Sequence, residues 1–200
     1  MAALGRLLFA TGNRHKAQEA AEILAPLGVT VVMPAQVGYA PDVDEVGATF
    51  AANAILKAEA GCAATGLWCL ADDSGIEARA LGGAPGVHSA RYAGAHGDDD
   101  ANNRKLAEAL RGQADRAVRY RCVIALARPG RPPRTWAGDF AGVHIEPPRG
   151  QGGFGYDPYV LIPELGRTVA ELTPAEKHAR SHRGAALRAC AQWLRTAGGD

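Results

Sequence analysis

A short apolar run, Leu7-Leu8-Phe9-Ala10, stops at Thr11-Gly12-Asn13 and gives way to Ala17, Ala20, Ala21, Leu24 and Leu27 at helical spacing between Arg14 and Leu27. The change of hydrophobic period within a few residues predicts a buried strand, a turn and a helix. A buried strand needs other elements to cover it, so this start directs the chain toward an α/β architecture. The same grammar recurs downstream. Thr49 is a good cap for a helix whose apolar side is Phe50, Ala54, Ile55 and Ala58, with Asn53 and Lys57 four apart on another face. Leu67 to Ala71 predicts a strand that ends at Asp72-Asp73-Ser74-Gly75, and Leu81 to Gly86 is a loop punctuated by glycine and proline.

Asp98 to Asp100 can cap a helix through Leu110. Val118, Tyr120, Cys122, Ile124 and Leu126 then alternate as a half-buried strand does, and Thr135 to Ile145 is its expected partner. Thr173-Pro174-Ala175-Glu176 combines a capping box with proline at the first helical position, and Ser181 starts a last helix to Leu194. No internal repeat or linker interrupts the pattern, so residues 1–200 read as one α/β domain with mixed strand directions.

Composition narrows the function classes. A hydrophobic fraction of 47% is ordinary for a protein with a substantial core, and a net charge of +1 gives no reason to expect a nucleic-acid or membrane surface. Cys62, Cys69, Cys122 and Cys190 form no CxxC pair and no Cys/His cluster, which predicts reduced, packed thiols in a cytoplasmic protein. The apolar start from Met1 to Ala10 is broken by Arg6 and is unlike a signal peptide or membrane span.

Several segments carry candidate chemistry. Thr11-Gly12-Asn13-Arg14-His15-Lys16 sits between a strand and a helix start, where unpaired N–H groups and the positive end of the helix dipole favour phosphate and Lys16 adds a full charge. A plain capped βα turn is the alternative. Asp72 and Asp73 after an apolar strand, with Glu45 upstream, offer hard oxygens for magnesium, and one of them could deprotonate water. A helix cap or solvated turn is the ordinary reading of an isolated Asp-Asp, and its place after a buried strand is what favours function.

Gly150-Gln151-Gly152-Gly153-Phe154-Gly155 has GxGxxG spacing, but Tyr156 to Ile162 reads as turn and strand, which excludes a dinucleotide fingerprint. Phe154 and Tyr156 could stack a flat base or could be core anchors. Lys177, His182 and Arg183 gather donors near the C-terminus, where a solvated basic helix face is the ordinary reading. Only four cations are lysines against 18 arginines, and Lys16, Lys57 and Lys177 all fall in these segments. That usage hints at a need for compact ammonium groups.

Taken in order, Thr11-Gly12-Asn13-x-x-Lys16, Phe50-x-x-Asn53-Ala54-x-x-Lys57, Asp72-Asp73-Ser74-Gly75, Gly86-Val87-x-Ser89-Ala90-Arg91-Tyr92, Phe154-Gly155-Tyr156-Asp157-Pro158, Ala170-Glu171-Leu172 and Ser181-His182-Arg183 resemble the inosine triphosphate pyrophosphatase family. The resemblance implies an elongated two-lobed α/β domain with a long curved mixed β-sheet, a central substrate cleft and a homodimer. It also implies magnesium-dependent hydrolysis of ITP, dITP, XTP and dXTP to monophosphate and pyrophosphate. By the same resemblance Thr11, Gly12, Asn13, Arg14, His15 and Lys16 bind the triphosphate, and Lys16 assists catalysis.

Glu45 and Asp73 are then magnesium-associated acids, beside Asp72 which the strand-end pair already offers as a metal ligand, Asp73 is the proton acceptor, and Asn53, Lys57 and Ser74 attend the substrate. Phe154, Gly155, Tyr156, Asp157, Lys177, His182 and Arg183 make the base pocket. His88 and Arg180 depart from the residues usual in that family at their positions. A related pyrophosphatase for other modified nucleotides, or a nucleotide sensor, are the competing readings.

Overall fold

The structure, a computed structural model, describes residues 5–197; the first four residues of the apolar start and the last three of the chain lie outside that range. β1 (Arg6–Phe9) leads to α1 (Arg14–Leu24), which Asn13 caps by accepting from the backbone N–H groups of His15 and Lys16. The helix stops three residues short of the expected Leu27. Pro26 has no N–H for the ladder, so Ala25–Leu27 tightens into a 3₁₀ turn closed by Gly28 at φ 68°. β2 (Thr30–Val32) follows. α2 (Phe50–Thr65) begins at the Thr49 cap and ends at Gly66 in the left-handed conformation.

β3 (Trp68–Ala78) continues well past the strand end expected at Asp72. Asp-Asp-Ser-Gly has the composition of a turn, yet its charges are met here by side chains from other elements and the backbone stays extended. Gly75 is required within it, because a Cβ there would lie 2.6 Å from the Gly86 carbonyl oxygen. α3 (Asp99–Leu110), capped by Asp98, precedes the long strands β4 (Ala117–Arg128) and β5 (Arg131–His144), joined through Pro129 and Gly130. β6 (Val160–Ile162), β7 (Arg167–Thr168), α4 (Pro174–Arg180) and α5 (His182–Ala197) complete the described chain.

The seven strands form one sheet in the order β2-β1-β3-β4-β5-β6-β7. β1 is parallel to both β2 and β3, with Leu8 opposite Val32 and Cys69, whereas β5, β6 and β7 pair antiparallel. The sheet is therefore mixed.

Two compact units divide the chain, the first comprising described residues 5–73, 122–138 and 183–197, the second 74–121 and 139–182. In the first, Leu7, Phe9, Leu70, Cys122, Ile124 and Leu126 pack against Ala20 and Leu24 of α1 and Leu187 and Cys190 of α5. In the second, Ile76, Leu106, Leu110, Tyr120, Tyr156, Val160 and Ile162 form the core. β4 records the difference. It alternates from Val118 to Tyr120 as expected, but every residue from Cys122 to Ala127 is buried, the pattern of a strand covered on both faces. All four cysteines are free and buried.

His144, at the end of β5, is 1% exposed. Its Nδ1 lies 2.9 Å from the Arg116 guanidinium, which only donates, so the ring proton sits on Nε2, a buried atom with no partner. Burial, reinforced by Arg116, lowers its pKa from 6.5 to about 4. The unfolded chain therefore binds more protons than the folded one between those values. Stability is complete above the unfolded pKa and falls as pH drops through the window, by about 3 kcal/mol in total. His144→Gln is expected to flatten that part of the acid limb in urea titrations at pH 7 and pH 4.5. An unchanged difference between the two pH values would refute this account.

Candidate active site

Adjacent residues of a strand point to opposite faces, and this separates Asp72 from Asp73. On one face Asp72 Oδ2 lies 2.9 Å from Lys16 Nζ of α1 and 3.2 Å from Arg183 Nε of α5. Arg183 is 7% exposed and also reaches Glu19 of α1, Nη1 to Oε2, at 3.5 Å. Burial opposes ionisation of Asp72, but Lys16 and Arg183 outweigh it and hold the carboxyl well below its ordinary range.

On the other face Asp73 meets α2. Asn53, fully buried, donates from Nδ2 to Asp73 Oδ2 at 3.0 Å and accepts from the Gly47 N–H at 2.7 Å. Lys57 Nζ lies 2.8 Å from Glu45 Oε1 and 3.4 Å from Asp73 Oδ1. Asn53 thus ties Asp73 to the segment that carries Glu45. Burial raises the Asp73 pKa, Lys57 and Asn53 pull it back, and the net shift is upward.

The three acids read together from the sequence do not converge. Among the described residues no group of three or more Asp, Glu, His or Cys side chains is arranged to hold a metal. Glu45 and Asp73 do flank one ammonium, so the fold already accommodates positive charge between two sets of hard oxygen donors, and that chemistry fits magnesium. Asp72 lies with Lys16 and Arg183, whose charges compensate it.

The turn before α1 also departs from expectation. The N–H groups of His15 and Lys16 bond to Asn13 Oδ1, and Thr11 Oγ1 accepts from the Asn13 N–H, so these amides serve the cap. Gly12, Arg14 and His15 are exposed, and the Lys16 side chain is 23% exposed beside Asp72. Its ammonium is the part of this turn best suited to an anion.

In the second unit Phe154 and Tyr156 have different fates. The Phe154 ring is 58% exposed with Lys177 Nζ 4.5 Å from its centroid, a cation–π arrangement. Tyr156 is buried in the core and its hydroxyl donates to the Ser89 carbonyl at 2.8 Å, which makes it the anchor of the loop and corrects its reading as a stacking ring.

Gly155 is held from α3, its N–H donating to Asp99 Oδ2 and its carbonyl accepting from Asn103 Nδ2, both at 2.9 Å. Asp157, buried, accepts from Lys177 Nζ at 2.6 Å, from the Phe154 N–H at 3.0 Å and from the Tyr120 hydroxyl at 2.9 Å. His182 stacks on the Tyr120 ring, centroids 5.3 Å apart and planes 11° from parallel. Ser74 is partly buried on β3, while His88 and Arg180 are exposed.

Glu19, Gly47, Asp99, Asn103 and Tyr120 contact these clusters but were not legible as functional. Tyr120 gave only the signal of an inward strand residue, and Glu19 that of an ordinary helix position. For Gly47 the constraint is spatial, since a Cβ there would lie 2.5 Å from Asn53 Oδ1.

These features define a class: mixed-sheet α/β proteins in which adjacent strand carboxylates are each met by lysine from a flanking helix, with an aromatic, carboxylate and lysine cluster on a glycine-rich loop. The Ham1 family model matches residues 7–193, and the chain belongs to that family. A dITP/XTP pyrophosphatase of Nitrosomonas europaea is 49% identical over 197 residues, covering 96% of this chain and 95% of its own. One from Gloeobacter violaceus is 51% identical over 182 residues, covering 91% and 90%. The Staphylococcus aureus Ham1 protein superimposes with a TM-score of 0.90 at 35% identity, over 96% of this chain and 99% of that one. A HAM1 protein from Coxiella burnetii gives 0.90 at 40% identity, over 96% and 98%.

Proposed function

We infer that this chain is a nucleoside triphosphate pyrophosphatase that hydrolyses ITP, dITP, XTP and dXTP to monophosphate and pyrophosphate, removing non-standard purines before they enter DNA and RNA. The observation that carries the chemistry is the Asn53–Asp73–Lys57–Glu45 cluster, a fixed carboxylate beside an ammonium and a second acid. Its relatives' activity as dITP/XTP pyrophosphatases supports the substrate class.

Asp73 accepts the proton of the attacking water. Asn53 and Lys57 fix its two oxygens, so the acceptor is oriented before substrate arrives. Lys16 offsets charge on the phosphates through its partly exposed ammonium, which Asp72 orients. Glu45 and Asp73 would hold magnesium, which when bound supplies a Lewis acid for the phosphate oxygens. Arg183 supports Asp72 in this reading and does not read the base.

Phe154 offers an exposed face for stacking, but every purine has such a face. Selection falls to edge contacts from Lys177 and His182, with Asp157 orienting Lys177. Hypoxanthine and xanthine carry an acceptor at position 6 and a donor at position 1, the reverse of adenine, so fixed partners leave polar groups unpaired against ATP. We further propose a cytoplasmic homodimer with no nucleic-acid partner. No helix among the described residues is long and apolar enough to cross a membrane.

Pyrophosphate release measured across a nucleotide panel with and without magnesium tests the reading. ITP and XTP and their deoxy forms should turn over at least about 30-fold more efficiently than ATP, since two unpaired buried groups at about 1–3 kcal/mol each give that ratio or more, whereas guanine shares the position 6 acceptor and position 1 donor and its rejection rests on the 2-amino group. Comparable turnover of ATP would sink it, and so would activity indifferent to magnesium.

A further inference from the structure

Tyr120 touches two of the groups assigned above to base selection, Asp157 and His182. It lies on β4, 9% exposed, with its ring against Phe140 at 6.3 Å between centroids on one side of the strand environment and stacked on His182 at 5.3 Å. Its hydroxyl donates at 2.9 Å to Asp157 Oδ1. The other oxygen of the same carboxylate accepts from Lys177 Nζ and from the Phe154 N–H. Three donors from three elements therefore divide one buried carboxylate, and one of them, Tyr120, also stacks on the neighbouring imidazole.

A carboxylate turns about one bond, so its two oxygens move together. A neutral hydroxyl bound to a buried anion makes a charge-assisted bond of about twice the ordinary strength, enough to fix that rotation. With Oδ1 held by Tyr120, Oδ2 is presented to Lys177, and the ammonium is in turn held 4.5 Å from the centre of the exposed Phe154 ring. The stack acts separately from the hydroxyl. Nearly parallel rings of Tyr120 and His182 keep the imidazole edge, with its donor and acceptor nitrogens, in a plane set by the phenol ring.

We propose that Tyr120 is a positioning residue for base specificity, fixing Asp157, and through it Lys177, by its hydroxyl, and fixing His182 by its ring. This rests on the reading of the chain as a pyrophosphatase selective for non-standard purines. It extends that reading to a residue which touches neither phosphate nor the reacting water. The two contacts make different demands on a substitution. Tyr120→Phe keeps the stack and removes the hydroxyl, whereas Tyr120→Leu removes both.

Steady-state kinetics on ITP and ATP, with melting curves, test the assignment. Tyr120→Phe should raise KM for ITP about tenfold, narrow the ITP-over-ATP ratio of kcat/KM by a similar factor, and leave kcat for ITP within about twofold, the pattern of a lost ground-state orientation. Tyr120→Leu should lower the ratio further. In a double-mutant cycle, Tyr120→Phe should add little to Asp157→Asn, because the hydroxyl acts through that carboxylate. Should Tyr120→Leu melt below the assay temperature, Tyr120→Phe, which keeps the ring and its packing, carries the test, assayed below its own melting temperature.

An ITP-over-ATP ratio equal to wild type in Tyr120→Phe, or fully additive losses in the cycle, overturns the proposal and leaves Tyr120 as core. Failure of the parent reading is distinguishable, since it appears in the wild-type protein as an absence of preference for ITP.

Discussion

Asp73→Asn is expected to fold with near-normal stability and to lose roughly 10²- to 10⁴-fold in kcat, the range typical of removing a group that takes a proton in the transition state. The substitution is isosteric, and Asn53 can still find an oxygen at position 73 for its 3.0 Å bond, so the cluster keeps its shape. What disappears is the base and one of the two negative charges around Lys57, whose own pKa is raised, against the effect of burial, chiefly by Asp73 and by its bond to Glu45. Steady-state and single-turnover rates at saturating ITP separate chemistry from binding. Should kcat stay within a few-fold of wild type while the protein melts normally, Asp73 is not the proton acceptor, and Glu45 becomes the acid to examine.

The local half of this architecture was legible. Asn13, Thr49 and Asp98 each cap the helix they announce, because a cap is read by residues two or three positions away. Stopping α1 at Leu24 was legible in principle from Pro26 alone. The site was legible as a set of residues but not as partnerships. Asp72-Asp73-Ser74-Gly75 reads as a turn because its compensation comes from elsewhere: Lys16 lies 56 positions away and Arg183 lies 111. Once the segment is a strand, its pleat sends the two carboxylates apart, and no spacing rule applied to an expected turn reveals that. Phe154 and Tyr156 are two residues apart in the same kind of context, yet one ring is exposed and the other is core. Their difference is decided by what α3 and Ser89 offer, and neither was visible as a partner of the loop.

Arg183→Ala should chiefly destabilise the protein, by about 3–5 kcal/mol, because it removes a buried cation that two buried carboxylates share. Arg183 joins Asp72 and Glu19, and all three are nearly inaccessible to water. Asp72 would retain Lys16, but Glu19 has one oxygen, Oε1, already without a hydrogen-bond partner and would lose the Arg183 contact to the other. For a chain of this size that loss corresponds to a fall in melting temperature of roughly 6–20 °C.

The acid limb supplies a second signature. Asp72 is depressed in the folded state, so its contribution is present above the unfolded carboxylate pKa of 3.8 and is lost as pH falls below it. Removing Arg183 lets the Asp72 pKa rise, so that this contribution shrinks. Glu19→Gln combined with Arg183→Met should recover part of the lost stability, since the pair is then replaced by groups with no net charge to bury. Kinetics on the folded fraction distinguish this role from base reading. Support of Asp72 predicts equal proportional losses on ITP and ATP, and a loss confined to ITP with an unaltered melt would move Arg183 to the base-recognition group.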